Sequence, residues 1–343
     1  MLSALGSKVR AAIAQPLHSN VLGVARTVIA LGTLGTLLFS RASDILRPAV
    51  GFSESPHCAS VGKAGLFCLT GADHLELGRW LAVAALLLVA SGWRPRLTGL
   101  LHWYVVTSLF SSGTLVDGGD QAAVVLTFLL VPITLADPRR WHWSAAPPVS
   151  LERTTARRAL GASALRLLAL TCAWALRLQM AGIYFQACVS KLKVPEWQDG
   201  TAVYYWFTDP WFGIPEPVRS LVMPLLTNGM VVTAITWGAL ALEIFLFSGL
   251  VATRRTRRAL LVLGISFHAM IALIHGLLSF ALVMWGGLIL FLRPLDQEFA
   301  AVRRLTERLG DGVRLVGARV RRRAGNEGEA LPTRGARGAV VRS

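Results

Sequence analysis

The chain has 343 residues, of which 54% are hydrophobic and only 16% are charged, a composition that is unusual for a soluble protein of this length. The formal net charge of +16 could suggest a nucleic-acid partner, but the basic residues form short clusters between apolar segments rather than one basic surface. The composition therefore indicates a membrane protein and gives no support to nucleic-acid binding.

Eight apolar segments are close to the length that a helix needs to cross a bilayer. They cover about residues 20–38, 75–92, 98–113, 121–136, 163–190, 221–251, 259–276 and 278–292. The sixth segment contains Thr227, Asn228 and Gly229, which could break it into two helices, and a short turn at His275-Gly276 joins the last two. The sequence thus predicts an all-α, polytopic membrane helix bundle of about eight transmembrane helices.

The distribution of lysine and arginine predicts the orientation of this bundle. If the N-terminus is cytoplasmic, most basic residues fall in the inner segments, including the TRRTRR run after the sixth segment and the basic tail. The positive-inside rule therefore places both termini in the cytoplasm, and the first helix is expected to remain as an anchor.

Three regions follow from this division. Residues 1–19 form a cytoplasmic N-terminal segment, residues 20–295 the transmembrane domain, and residues 296–343 a basic cytoplasmic tail. We expect the tail to form a helix on the lipid surface to about residue 323 and to be disordered beyond it.

Two of the four cysteines, Cys58 and Cys68, lie in the loop between the first two helices, which faces outward in this orientation. A disulfide between them would restrain the loop in an oxidising compartment. Unpaired thiols and a redox role are the alternatives. Cys172 and Cys188 fall within the fifth helix, where they are expected to be packing residues.

The fifth helix carries polar side chains on two faces. At about 100° per residue, one stripe contains Arg166, Arg177, Tyr184, Cys188 and Lys191. Gln179, Gln186 and Ser190 fall on the opposite side, so this helix is expected to lie inside the bundle rather than to face lipid.

Arg177 would be a costly charge at bilayer depth unless a carboxylate or water lies nearby. Glu243, the one acid deep in the sixth segment, is the candidate partner. The pair could be a structural contact between two helices or part of a ligand cavity.

Lys191 lies at the outer end of the same stripe, where a lysine can snorkel to the interface. It is followed by Trp197 and by an outer loop rich in aromatic residues, GTAVYYWFTDPWFG. That loop could form an aromatic belt at the interface or cover a pocket above the lysine. In a desolvated pocket the lysine could act as a base or a nucleophile.

Two further polar residues are candidates for such a cavity. His102 on the third helix could line it or could be a hydrogen-bonded packing group, and Asp120 could line it or could cap the fourth helix together with Asp117. His268 and His275 share a face of the seventh helix, but no acid or cysteine accompanies them at ligand spacing, so no metal site is predicted.

Three stretches of the sequence resemble the SdpB family, membrane proteins of sporulation-delaying-protein operons. They are GWRPRLTGLLHWYVVTSLFSSGTLVDGGDQ, LLVPITLADPRRWHW and YFQACVSKLKVPEWQDGTAVYYWF, and the outer loop ending in GLFCLT shares the likeness. The resemblance covers about residues 20–295. It implies a multi-pass protein of the cell membrane, encoded beside a small secreted peptide toxin and needed, with a companion protein, to make that toxin active.

More remotely, the chain is similar to the HTTM domain of vitamin-K-dependent gamma-glutamyl carboxylase. In that family a lysine in a Lys-Lys-Leu setting, followed by Trp and Gly, is the base that reacts with a reduced quinone. The likeness would place Lys191 at that base, because SKL is followed here by Trp197 and Gly200. Ser190 stands where the enzyme has its other lysine.

Three functions are compatible with these patterns. The leading one is maturation or export of a small secreted antimicrobial peptide, whose precursor would bind at the outer aromatic loop and in a helical cavity. The second is a quinone-dependent, carboxylase-like enzyme with Lys191 as its base and a reduced quinone as its cofactor. The third is a structural partner or an immunity-like binder. The residues predicted to line the cavity are His102, Asp120, Arg177, Tyr184, Trp197 and Glu243.

Overall fold

The computed structural model describes residues 17–51, 54–144 and 156–308. Its eight long helices, α1 to α8, are Asn20–Phe39, Leu75–Ser91, Pro95–Ser112, Gly118–Leu135, Ala156–Lys191, Gly229–Ser248, Arg254–His275 and Leu278–Leu292. Short helices lie between them at Ala42–Ile45, Leu66–Thr70, Pro195–Gln198, Ala202–Thr208 and Glu216–Leu226, with 3-10 helices at Ser60–Ala64 and Ala72–His74. No β-strand occurs within these ranges, and the predicted all-α fold is confirmed.

The sixth predicted segment is two helices rather than one. Glu216–Leu226 ends just before Thr227, and α6 starts at Gly229. The side-chain oxygen of Asn228 accepts hydrogen bonds from the backbone amides of Met230 and Val231, which caps the new helix. Of the residues that suggested a break, Thr227 is the C-cap of the first helix, Asn228 is the N-cap of the second, and Gly229 is the first residue of the second helix.

Six of the described helical segments are long and apolar enough to cross a membrane. They are Asn20–Phe39, Ala72–Ser91, Gly118–Leu135, Leu160–Lys191, Gly229–Ser248 and Arg254–His275. Helix α8 is apolar but has 15 residues. The chain is thus a multi-pass membrane protein, while the number of eight spans and the cytoplasmic location of both termini stay predictions.

Helices α1 and α8 cross closely at the centre of the bundle. Every residue from Gly286 to Leu292 is buried, as expected for a helix that is apolar on all sides. A Cβ added to Gly286 would lie 2.4 Å from Ile29 Cγ1 and 2.8 Å from the backbone oxygen of Ala25, so the crossing requires glycine. Helix α2 packs on α1, α4 and α7 pack on α8, and α5 packs on α4 and α6.

The expectation that α5 lies inside the bundle rather than facing lipid is wrong for one of its two polar faces. Tyr184 and Cys188 on one side are buried, but Gln186 and Ser190 on the other side are exposed. The bundle therefore covers one polar face of this helix and leaves the other open.

The connection after α4 is held by a buried ion pair between Asp137 and Arg139, whose side chains are 0% and 1% exposed and 2.7 Å apart. Arg139 Nη1 also donates to the backbone oxygens of His142 and Ser144, at 2.7 and 2.9 Å. Burial, together with the positive charges of Arg26 and Arg139, lowers the pKa of His142 to about 2, so the ring is neutral. The connection after α4 is therefore organised around the fully buried carboxylate of Asp137.

The predicted disulfide between Cys58 and Cys68 is present. The loop that it closes packs against α3, where the Tyr104 hydroxyl donates to the backbone oxygen of Ala64 at 3.0 Å. The backbone amide of Leu66 donates to Ser108 Oγ at 3.1 Å. The disulfide thus closes a loop that is also tied to the bundle by hydrogen bonds.

Replacing Cys58 and Cys68 together by serine is expected to lower the free energy of unfolding by about 2–3 kcal/mol, because the unfolded chain regains the freedom of the closed loop. Unfolding in mixed lipid–detergent micelles measures the difference, and Cys172→Ser is the control without a bridge. Equal stability of the double variant and the wild type, or free thiols at both positions in unreduced protein, would contradict the expectation.

The chain divides into two units, Met1–Glu298 and Phe299–Ser343. In the second unit residues 300–308 are helical. The expected continuation of a helix to about residue 323 and the expected disorder beyond it lie outside the described residues.

Candidate functional site

Lys191 ends α5, and its ammonium group contacts the carboxylate of Glu243 on α6. Nζ lies 2.5 Å from Oε1, and the two side chains are 27% and 4% exposed. Nζ also lies 5.3 Å from the ring centroid of Trp197, in the short helix Pro195–Gln198. The lysine is therefore directed toward a buried acid and an aromatic ring, whereas a snorkelling lysine would extend toward water.

Glu243 lies in the C-terminal third of α6, five residues before its end at Ser248. Glu243 is fourteen residues from Gly229, where the helix begins, or about 21 Å at 1.5 Å per residue. After Lys191 the chain returns beside the N-terminal half of α6, where the amide of Val203 donates to Thr236 Oγ1 at 3.2 Å. Gly200 permits this approach: its φ is +84°, and an added Cβ would lie 2.7 Å from a methyl of Thr233.

Two turns before Lys191, Tyr184 forms a hydrogen bond with His268 of α7. The hydroxyl oxygen and Nε2 are 3.0 Å apart, and both residues are 2% exposed. Glu243 is close enough to Tyr184 to interact with it electrostatically, as is Lys191 with His268. Tyr184, Lys191, Glu243 and His268 thus form one group from three helices, called here the Lys191 cluster.

Two atoms of the Lys191 cluster are buried without a hydrogen-bond partner in the described part of the chain. They are Oε2 of Glu243 and Nδ1 of His268. A buried polar atom without a partner lowers stability, so such atoms in a native structure call for a ligand, a water or a functional role. The cluster therefore combines a free acceptor on Glu243 with a partly exposed donor on Lys191.

The predicted pairing of Arg177 with Glu243 is wrong, because Glu243 contacts Lys191 instead. Arg177 lies fourteen residues earlier on α5, or about 21 Å away along the helix. Its guanidinium lies 5.4 Å from the ring centroid of Trp174. It also lines a cavity of about 30 Å³ together with Leu17, Leu22, Ile133, Ala173, Leu176, Leu290 and Leu295.

His102 and Asp120 occupy other parts of the bundle. His102 is 1% exposed on α3 and interacts electrostatically with Arg26 of α1. Asp120 and Asp117 cap α4: the amide of Asp120 donates to Asp117 Oδ1 at 2.9 Å, and the amide of Asp117 donates to Asp120 Oδ2 at 3.2 Å. Of the predicted cavity residues, the structure brings Tyr184, Trp197 and Glu243 to Lys191.

The aromatic loop GTAVYYWFTDPWFG is largely exposed, with Trp211 88% and Tyr205 58% accessible. It is attached to the end of α7 by His275, whose Nδ1 lies 2.5 Å from the backbone oxygen of Phe212. Trp197 is the ring that lies over Lys191. The aromatic residues that follow Trp197 are mostly exposed: Tyr204, Tyr205, Trp206, Trp211 and Phe212.

His268 is the residue of the cluster that the sequence did not indicate. It follows Tyr184 by 84 positions, and its seven-residue spacing to His275 suggested at most a shared face. The one available signal was the position of Tyr184 on the Lys191 stripe, which predicts a buried hydroxyl in need of a partner but does not identify that partner.

The whole Lys191 cluster falls within residues 157–295, which match the family model described as the HTTM domain. The uncharacterized protein YitO of Bacillus subtilis (strain 168) is 43% identical over 291 residues, covering 84% of this chain and 90% of YitO. Sporulation-delaying protein SdpB of the same strain is 37% identical over 284 residues, covering 81% of this chain and 83% of SdpB. No solved structure matches the chain.

Proposed function

The chain belongs to the SdpB family of HTTM-containing membrane proteins, and from that premise we propose that it acts in the cell membrane in producing a small secreted peptide of the sporulation-delaying type. Its step would be maturation or export of the precursor peptide, together with a companion maturation protein. The similarity to SdpB over most of both chains supports a role in producing such a peptide. The Lys191 cluster supports a site of action within the bundle.

The observation that carries the site is the unpaired Oε2 of Glu243 beside the Lys191 ammonium. A peptide backbone presents an N–H donor and a C=O acceptor at every residue other than proline. Glu243 could accept from the first while Lys191 donates to the second, and Trp197 would supply an apolar wall next to them. We therefore propose that the cluster binds a backbone segment of the precursor.

The quinone-dependent alternative requires Lys191 to act as a base, and only the neutral amine can do so. In the structure Nζ of Lys191 donates a hydrogen bond to Oε1 of Glu243 at 2.5 Å, so this nitrogen is already held by a carboxylate of the protein. The residues as arranged therefore do not fit a base at this position, and we derive no reaction step through a quinone.

The test distinguishes a functional role of the Lys191 and Glu243 charges from a purely structural role. Replacing a buried ion pair by apolar residues of similar volume is often neutral or stabilising. The double variant Lys191→Met with Glu243→Leu is therefore expected to fold with near-wild-type stability while the active peptide in the culture medium falls at least tenfold. A killing assay against a sensitive strain measures the peptide, and immunoblotting measures the level of the membrane protein.

Two further variants complete the test. Lys191→Arg keeps the positive charge but cannot supply a neutral amine, so retained peptide production supports binding and excludes base chemistry at this position. Lys193→Ala, at an exposed position two residues on, is the matched control and should produce normally. Normal peptide production by the stable double variant would show that Lys191 and Glu243 have only a structural role. Normal peptide production by a strain without this gene would refute the proposed function.

A further inference from the structure

The uncovered face of α5 carries amide side chains in the middle of a membrane-spanning helix. Gln179 is half-buried and Gln186 is exposed. Gln179 directly precedes Met180, which meets Leu126 at Gly287 of α8, and Leu126 is at the middle of α4. Gln179 is therefore near the middle of a hydrocarbon layer about 30 Å thick. In a monomer the exposed parts of these amides would face lipid.

The residues on this face follow the alternating spacing of four and three that is typical of helices packed in a left-handed coiled coil. None of them is buried by the rest of the bundle. They form what we call the open seam: Leu168, Cys172, Ala175, Gln179, Gly182 and Gln186. No atom lies within 4 Å of the position that a Cβ on Gly182 would take, so there is room for a second helix backbone to approach.

The amides of the open seam have unused hydrogen-bonding capacity. Gln186 donates to Ser190 Oγ at 3.0 Å, which uses one of its two side-chain N–H groups, and the side chain of Gln179 makes no hydrogen bond within the described part of the chain. Lipid tails offer neither donors nor acceptors, and polar side chains in membrane helices typically form hydrogen bonds across helix–helix interfaces. The open seam thus has both the spacing and the polarity of a helix interface.

We propose that the open seam binds the open seam of a second copy of this chain, forming a homodimer in the membrane. Copies inserted in one orientation and related by a twofold axis along the membrane normal place identical residues at the same depth. Gln179 then meets Gln179 of the other copy, and Gln186 meets Gln186. A carboxamide both donates and accepts, so each amide is complementary to itself.

The unmodified protein offers a direct test, because Cys172 is a free, half-buried residue of the open seam while Cys188 is buried. Oxidation of membrane vesicles with copper phenanthroline should convert the wild type to a reducible species of twice the monomer mass. The variant Cys172→Ala should give none. A product of any other mass would assign the seam to a different protein and overturn the proposal.

A pair of variants at matched depth tests the geometry. In the Cys172→Ala background, Gln179→Cys lies in the open seam, whereas Leu178→Cys lies one residue earlier and about 100° around the helix, at a position that is 57% exposed. Cross-linking should be at least fivefold faster for Gln179→Cys. Equal rates at the two positions would indicate random collision and would overturn the proposal.

Removing the amides tests what holds the copies together. The double variant Gln179→Leu with Gln186→Leu should weaken self-association in proteoliposomes about tenfold, because interhelical hydrogen bonds are lost while leucine remains compatible with lipid. Fluorescence energy transfer between labelled copies measures the dissociation constant. An unchanged constant would show that the amides face lipid and that the open seam is not an interface.

Discussion

Replacing Glu243 by alanine is expected to lower the free energy of unfolding by about 3 kcal/mol and to abolish production of the active peptide. The substitution leaves the ammonium of Lys191, 27% exposed in the native protein, without the carboxylate that neutralises it. Removing one partner of a buried pair typically costs 3–5 kcal/mol, and the partial exposure of the lysine places this case at the lower end. Unfolding of the purified protein in mixed lipid–detergent micelles measures the loss.

The double variant Lys191→Met with Glu243→Leu provides the control for this result. Because no buried charge is left without a partner, its stability should return to within about 1 kcal/mol of the wild type, although its activity should not return. A Glu243→Ala protein as stable as the wild type would mean that the carboxylate of Glu243 does not neutralise the ammonium of Lys191 in the folded protein. The assignment of the ion pair would then be wrong.

Replacing Asp137 by alanine is expected to destabilise the protein by about 3–4 kcal/mol. Arg139, with 1% of its side chain exposed, would keep its charge in an enclosed site without a counterion. The backbone oxygens of His142 and Ser144 would also be held less firmly, because their donor is oriented by the lost carboxylate. The same unfolding measurement applies.

An exposed ion pair provides the matched control for Asp137. Glu216 and Arg219 are 3.2 Å apart with side chains 83% and 46% exposed, so Glu216→Ala should change stability by less than about 0.5 kcal/mol. Comparable losses in Asp137→Ala and Glu216→Ala would contradict the interpretation that burial determines the effect.

The sequence predicted the elements of this fold better than their contacts. Helix positions, the break at Asn228 and the disulfide between Cys58 and Cys68 follow from local patterns that one segment carries by itself. The partner of Glu243 does not follow from a local pattern, because the α5 stripe offers two basic residues, Arg177 and Lys191. The choice depends on how far α6 is shifted along α5, which the hydrophobic period of neither helix determines.

The same reasoning explains the two faces of α5. A helical wheel shows that Tyr184 and Gln186 lie on different sides, but both are polar and the wheel does not say which side the other helices cover. The structure buries Tyr184 against His268 and leaves Gln186 exposed. For Asp120 the local pattern also suggested a helix cap, and the hydrogen bonds with Asp117 account for this residue without reference to a cavity.

The distance in sequence between Lys191 and Glu243 sets the order of events during synthesis. The acid follows the lysine by 52 residues. At a translation rate of roughly 5–20 residues per second, the ribosome makes the partner about 3–10 seconds after Lys191. During that interval Lys191 lacks the carboxylate that it contacts in the folded protein, and this contact can form only after α6 has been made. The Lys191 cluster therefore assembles late in biogenesis, when most of the bundle has been made.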